Sequence, residues 1–307
     1  MAINKGIAPK PFLKWAGGKS QILDKIRGKY PAEIGKSITK YAEPFVGGGA
    51  VLFDVLNSYH FEKVYISDVN QELIFTYLAI RDRVSEFIVV LKDFEANYLS
   101  AGDEARKKIY YANRERFNIL KKGSGNDLEL AALFLFLNKT CFNGLYRVNS
   151  LGEFNVPQGN YKNPKICDEI NLRNVSEILQ RVDIVCADYK QSRCFIDGNT
   201  FAYFDPPYRP LSITASFNSY SNDGFDDAKQ AELACFIDEI TAQGAYIVAS
   251  NSDPKNTNKN DDFFDRMYAK YLVTRISAHR MINSVAAKRG SVNELLITKA
   301  KMGAINA

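Results

Sequence analysis

A short strand pattern over residues 38–41, a Gly47-Gly48-Gly49 break and a mainly apolar stretch over 50–58 lead into Lys63-Val64-Tyr65-Ile66-Ser67, which ends at Asp68. The pattern predicts strand, glycine turn, helix and strand, a βαβ unit. Beyond it the spacing changes. Leu73, Tyr77, Ile80, Val84 and Phe87 recur at three and four, so residues 71–94 read as a helix, with further helical runs over 110–120 and 128–138. After residue 174 the α/β rhythm returns: a helix into Leu179, strands over 183–186 and 200–204, a helix near 228–241 and a strand over 245–250. The order predicts an α/β sheet in two parts, residues 1–78 and 166–307, separated by a mainly helical insert over 79–165. No internal repeat is present. Of two polar loops, over 209–227 and 252–262, the first is long enough to expect a mobile lid.

Composition narrows the classes without naming one. With 307 residues, 46% hydrophobic and 24% charged, the chain can bury a full core, which disfavours disordered, collagen-like and disulfide-scaffold classes; a monomer is expected. Forty Lys and Arg against 35 Asp and Glu leave +5, which permits a polyanionic partner without establishing one. The excess is uneven: nine of the first 40 residues are basic, and residues 106–122 hold seven basic side chains against Glu115. Such runs are ordinarily solvated faces, yet they also suit a phosphate-lined groove. Five cysteines without a C-x-x-C pair and two distant histidines give zinc no ligand set, so no metal is expected and the thiols fit a reducing cytoplasm. The longest uncharged apolar stretch, 130–138, falls far short of the roughly 20 residues of a membrane span. Lys5, Lys10 and Lys14 bracket no apolar core of a signal peptide.

Two glycine-rich turns carry candidate chemistry. Gly17-Gly18-Lys19-Ser20 ends like a phosphate-binding loop, but the glycine such a loop needs five positions before Gly18 is Leu13. Gly47-Gly48-Gly49 follows a strand and opens a helix, so backbone and helix N–H groups can approach a ligand. Position 52, where a dinucleotide fingerprint has its third glycine, is leucine. Asp68 closes the next strand, where a carboxylate can accept from both hydroxyls of a ribose. A structural turn with a helix-capping Asp is the plain alternative. Glu43, just before the turn, is badly placed for a pyrophosphate and suits a cation. A cationic ligand with a ribose favours S-adenosylmethionine over NAD.

Phe204-Asp205-Pro206-Pro207-Tyr208 ends an apolar strand, at the carboxyl edge where open α/β sheets bind ligands. The prolines fix φ and leave no N–H groups, so the Asp205 and Pro206 carbonyls are acceptors beside the face of Tyr208. A base amino group matches this: it donates two protons while its ring stacks on Tyr208. Its lone pair is delocalised into the purine. Accepting both protons, at Asp205 and the Pro206 carbonyl, favours a pyramidal nitrogen that can attack a methyl donor. A rigid strand-to-loop turn is the bland alternative.

At these residues the chain resembles the Dam and DpnII type DNA adenine-N6 methyltransferases, alpha group. Phe12-Leu13-Lys14-Trp15-Ala16-Gly17-Gly18-Lys19, Glu43-Pro44-Phe45-Val46-Gly47-Gly48-Gly49, Ser67-Asp68-Val69-Asn70 and Asp205-Pro206-Pro207-Tyr208 are similar to four family motifs in the family's order. The resemblance implies a Rossmann-like S-adenosylmethionine-dependent sheet with a mainly helical inserted DNA-recognition domain. It implies cofactor contacts from Trp15, Lys19, Asp68 and Asp205, a pocket from Glu43, Phe45 and Gly47, and Asp188 and Tyr189 flanking the cofactor adenine. Asp205, Pro206 and Tyr208 would be catalytic.

Residues 138–157 are similar to the family's recognition hairpin. Asn143-Gly144 favours a tight turn that can push Leu145 and Arg147 into a groove, and Arg is the natural bidentate partner of guanine. Relatives that methylate GATC imply Lys14 and Arg147 on guanines, Leu145 and Pro157 beside thymine, and Phe142 and Asn143 near the vacancy of the extruded base. Phe142 replaces a tyrosine of some members, which removes a hydroxyl and leaves a stacking face. Arg147 as a phosphate contact stays open. The expected activity is transfer of methyl to N6 of a flipped adenine in double-stranded DNA, within GATC, in the cytoplasm at the nucleoid, as in restriction-modification. Another DNA sequence, RNA, or a catalytically idle DNA-binding module are the alternatives. Phe217 and Tyr220 are expected to close over the base, and Arg280, Lys288 and Arg289 are weaker candidates for phosphate.

Overall fold

The computed structural model describes residues 8–123, 127–209, 225–279 and 291–299. Phe217, Tyr220, Arg280, Lys288 and Arg289, and all but the ends of the expected lid, lie outside these residues. The fold is mixed α/β around a seven-stranded sheet. The chain divides into two compact units, one of residues 1–18, 46–58 and 67–187, the other of 19–45, 59–66 and 188–307.

The second unit is built on β1 (Lys40–Glu43), β2 (Lys63–Asp68, with its residues 63–66), β4 (Thr200–Phe204), β5 (Tyr246–Ser252), β6 (Tyr271–His279) and β7 (Ser291–Lys299), in the order β2-β1-β4-β5-β7-β6. β1 pairs in parallel with β2 and β4, and β4 with β5; β7 runs antiparallel to both β5 and β6. β4 is buried at all five positions, as a central parallel strand covered on both faces must be. The helix Asp227–Ala242 packs Leu233, Phe236, Ile237 and Ile240 into the same core as Ala202, Phe204, Ala249 and Ile297. Asp226 caps it by accepting from the Lys229 amide at 2.9 Å. Pro206 and Pro207 stop β4, so Asp205 stands at its carboxyl end.

The first unit carries most of the helices; the short α1 (Leu23–Arg27) belongs to the second. α2 (Ala50–Ser58) is buried from Val51 to Leu56. α3 (Gln71–Ser100) begins where the Asn70 side chain accepts from the Leu73 amide, and it kinks at Arg83. α4 (Asp103–Lys121), α5 (Asp127–Thr140) and α6 (Glu169–Leu179) follow, then β3 (Val182–Cys186), the seventh strand. α5 is apolar almost all round because it is enclosed: Ala131 to Leu137 are all buried. No helix among the described residues is long and apolar enough to cross a membrane.

Candidate active site

In the second unit, the Asp205 carboxylate is held by both oxygens. Ser250, from the end of β5, donates its hydroxyl to Oδ1 at 2.8 Å, and the same hydroxyl oxygen lies 3.0 Å from that of Tyr203. Oδ2 meets the Lys19 ammonium at 2.6 Å, with the lysine side chain only 3% exposed. That ammonium also lies 4.7 Å over the Tyr208 ring, whose hydroxyl donates to Glu294 on β7 at 2.7 Å. Gln230 donates to the Pro207 carbonyl at 3.0 Å and accepts from Asn251 at 3.0 Å. The Asp-Pro-Pro-Tyr turn is therefore tied to the helix Asp227–Ala242 and β5 by buried polar side chains, which low surrounding polarity makes stiff when satisfied.

Removing one such tie separates geometry from chemistry. Ser250→Ala is expected to lower kcat about tenfold with KM nearly unchanged, because the lost bond orients Asp205 and does not touch the substrate. Steady-state kinetics of the methyl transfer that the resemblance implies check this; a change in KM alone contradicts it.

Glu43, on β1, is 2% exposed and accepts from the Tyr41 hydroxyl at 2.6 Å. Burial pushes its carboxyl well above the usual range; the Tyr41 bond opposes this, Asp205 adds to it and Lys19 opposes it. Phe45 stacks on Tyr189, centroids 5.4 Å apart at 28°. Tyr189 is a core residue, 1% exposed, and Asp188 before it accepts from the Lys190 amide.

In the first unit, the glycine turn and Asp68 form one hydrogen-bonded piece. Gly47 N–H donates to Asp68 Oδ2 at 3.1 Å and Asn70 N–H to Oδ1 at 2.9 Å, while the Tyr77 hydroxyl donates to the Gly47 carbonyl at 3.1 Å. Burial raises the Asp68 pKa against these backbone donors. Gly47 has φ +47, and a Cβ there would lie 2.7 Å from Trp15 Cδ1, so the indole edge rests directly on the turn.

The same unit holds the segment after α5. Asn143 has φ +57 in the turn Phe142–Gly144, and isolated bridges pair Cys141 with Gln158 and Val148 with Phe154. Asn138 accepts from the Lys14 amide at 2.9 Å and donates to the carbonyls of Lys14 and Gly144 at 2.8 and 3.0 Å. Phe142, Arg147 and Pro157 are exposed, and Arg147 donates to Asn155 at 2.7 Å. Lys139 is pushed down to about 8 by burial, opposed by Asp168 and assisted by Lys14, Lys10 and Lys165. Between about 8 and about 10.4 the unfolded chain holds the extra proton, so stability rises with pH there; below that window the buried ammonium is a standing cost. Lys139→Met is accordingly expected to raise Tm near neutral pH by an amount that shrinks as pH climbs through the window. Melting curves at the two ends that show a constant gap would contradict this.

Residues 15–282 match the family model of D12 class N6 adenine-specific DNA methyltransferases. The chain belongs to this family. It is 47% identical over 290 residues to the type II methyltransferase M.MjaIII of Methanocaldococcus jannaschii, covering 94% of this chain and 98% of that protein. It is 34% identical over 287 residues to the DNA adenine methylase of Escherichia coli K12, covering 94% of each.

In this methyltransferase, the structure brings Lys19, Glu43, Phe45, Asp188, Tyr189, Asp205, Pro206 and Tyr208 into the second unit, and Lys14, Trp15, Gly47, Asp68 and the segment from Phe142 to Pro157 into the first. Lys19 and Asp205, both singled out for the cofactor, form an ion pair at 2.6 Å. The basic run over 106–122 is largely spent on the protein itself: Arg106 donates to the Tyr98, Leu99 and Lys162 carbonyls, Arg116 pairs with Glu129, Lys121 with Glu72 and Lys122 with Glu153. Ser250, Gln230 and Glu294 escaped sequence reasoning. Their one local signal is the polar Ser250-Asn251-Ser252 at the end of a buried strand, where apolar residues are the rule. Among the described residues no cluster of His, Cys, Asp or Glu is arranged to hold a metal ion.

Proposed function

We propose that this DNA adenine methyltransferase uses S-adenosylmethionine to methylate N6 of adenine within GATC, on a base turned out of the duplex. The observation that carries the reading is the Lys19 ammonium, an N–H donor held at 2.6 Å by Asp205 and over the Tyr208 ring. These are the two contacts a stacked adenine with its amino group requires, and the ammonium must shift when the base enters. An adenine cannot present its amino group this way inside a duplex, which supports extrusion at a cost of a few kcal/mol.

The residues fit the proposed cofactor. Asp68, fixed by two backbone N–H groups, is a carboxylate for ribose hydroxyls, and Glu43 is a buried carboxyl whose desolvation a sulfonium would relieve. Trp15, Lys19, Phe45, Gly47, Asp188 and Tyr189 complete its proposed contacts. When bound, S-adenosylmethionine supplies the electrophilic methyl. Asp205 and the Pro206 carbonyl would accept hydrogen bonds from the amine, which keeps one proton and releases the other once the methyl is transferred, and Tyr208 would orient the ring.

Residues 79–165 are the proposed recognition insert, with Lys14, Phe142, Asn143, Leu145, Arg147 and Pro157 on the DNA. The name type II methyltransferase, carried by the Methanocaldococcus relative, supports a role in restriction-modification. A cytoplasmic monomer is in keeping with this. Expression in a host lacking adenine methylation, followed by mapping of modified bases across its genome, tests the reading: N6-methyladenine confined to GATC is expected, and methylation at another sequence or none overturns it. Arg147→Ala is expected to cost about 1–3 kcal/mol of discrimination at guanine positions. Equal weakening on every duplex would make Arg147 a phosphate anchor alone.

A further inference from the structure

Tyr146 stands between Leu145 and Arg147, the two side chains proposed to read bases. The backbone at Leu145 is extended, φ −74 and ψ 146, so successive side chains there point to opposite sides. Arg147 is exposed, whereas Tyr146 turns inward and packs its ring 5.9 Å from that of Trp15 with 22° between the planes. Phe134 and Phe154 close in at 5.5 and 5.8 Å. The hydroxyl is clamped: Lys121 donates to it at 2.7 Å, it donates to Glu72 at 3.2 Å, and Lys121 pairs with Glu72 at 2.8 Å. Glu72 is 8% exposed, so the clamp is a largely buried ion pair supplied by α3 and α4. Such a triad fixes a ring tightly because every member loses a partner if it turns. It also explains why Lys121, within the basic run, is not free for phosphate.

The pyrrole edge of Trp15 rests on the turn at Gly47, whose N–H holds the Asp68 carboxylate. Reading hairpin, Tyr146, Trp15, Gly47 and Asp68 are thus consecutive contacts in one compact unit.

We propose that Tyr146 is a positioning residue that makes recognition of the DNA sequence and affinity for the cofactor depend on each other, by fixing Trp15 against the turn that carries Asp68. The proposal rests on the function proposed above. When Leu145 and Arg147 engage bases, the hairpin settles and Tyr146 holds the indole in place. Linkage requires the reverse as well: a ligand seated against Trp15 strengthens sequence reading by the same factor.

Calorimetric titration of the full-length protein with S-adenosylhomocysteine, alone and with a saturating GATC or scrambled duplex, tests this. The GATC duplex is expected to tighten binding in the natural protein and the scrambled one is not. In Tyr146→Leu, which keeps apolar volume and loses the aromatic face and hydroxyl, the tightening falls about two- to tenfold, the range of an aromatic pair. Tyr146→Phe keeps the stack and loses the clamp, so it forfeits a smaller part and retains its melting temperature more closely; if the Leu variant fails to fold, this one decides. Either folded variant with the tightening factor unchanged, even if each ligand alone binds more weakly, reduces Tyr146 to packing and overturns the proposal. So does a natural protein that methylates GATC yet binds S-adenosylhomocysteine equally with and without the duplex. A natural protein that binds neither ligand instead sinks the function proposed above.

Discussion

Replacing Asp205 with alanine is expected to lower methyl transfer by about 10³-fold or more while duplex affinity stays within a few fold. The carboxylate would accept a hydrogen bond from the reacting amine, one that strengthens as the nitrogen turns pyramidal, so its loss is felt in the transition state far more than in binding. A second consequence follows from the structure alone. The Lys19 ammonium, 3% exposed, is deprived of the oxygen 2.6 Å away, and stripping a buried charge of its partner destabilises. With the Asp205 side chain 20% exposed, the loss should be about 1–3 kcal/mol, below the full cost of a sealed pair. The variant is thus slow and soft at once, and the two effects must be told apart. Adding Lys19→Met removes that charge, so the double variant should regain most of the lost Tm and none of the turnover. Single-turnover methylation of a GATC duplex, together with fluorescence anisotropy for binding and thermal melts, reads all three quantities. If turnover returns with stability, Asp205 is a structural partner of Lys19 and the chemistry lies elsewhere.

The same segment explains which parts of the molecule were legible in the sequence. β4 was read to its ends because a central parallel strand is one continuous apolar run, and here prolines punctuate it. α2 was read to its ends for a similar reason, the glycines before it marking where strand gives way to helix. β6 and β7 went unread. In β6 Ile276 and Ala278 are buried while Leu272, Arg275 and Ser277 are exposed, so no continuous apolar stripe announces an edge strand. α3 runs to Ser100, six residues past its apolar periodicity, because Tyr98 is buried and bonded by Gln158, a contact 60 residues distant.

Within the site, motifs reveal residues that touch a ligand and conceal those that hold them. Asp205 is visible because prolines surround it. Ser250, Gln230 and Glu294 act across 45, 23 and 86 residues, and one-dimensional spacing carries no trace of such bonds. Lys19 was visible as part of a glycine-rich motif, but its ion pair with a carboxylate 186 positions away was not, since which charges meet is decided by tertiary folding and not by local spacing.

Gly47→Ala should nearly abolish cofactor binding, and a second glycine shows why backbone strain is not the whole reason. Gly35 also has positive φ, +78, but a Cβ there meets nothing within 4 Å, so Gly35→Ala carries the left-handed penalty of about 1–2 kcal/mol and little else. At Gly47, φ +47, the added methyl would sit 2.7 Å from Trp15 Cδ1 and 2.9 Å from Nε1. The indole cannot simply step back, because Tyr146 is stacked upon it. Either Trp15 leaves the turn or the turn shifts, and the second choice strains the bonds from Gly47 N–H to Asp68 and from Tyr77 to the Gly47 carbonyl. Both outcomes disturb groups proposed to meet the cofactor. S-adenosylhomocysteine affinity is therefore expected to fall at least about 30-fold in Gly47→Ala, the effect of losing two or more hydrogen bonds of about 1 kcal/mol each, and to stay unchanged in Gly35→Ala. Both variants should lose comparable Tm through the backbone term, with an added loss at Gly47. Calorimetry and melting of the pair decide the matter: equal affinity in both would mean that Trp15 yields freely and that the turn at Gly47 is no part of the cofactor site.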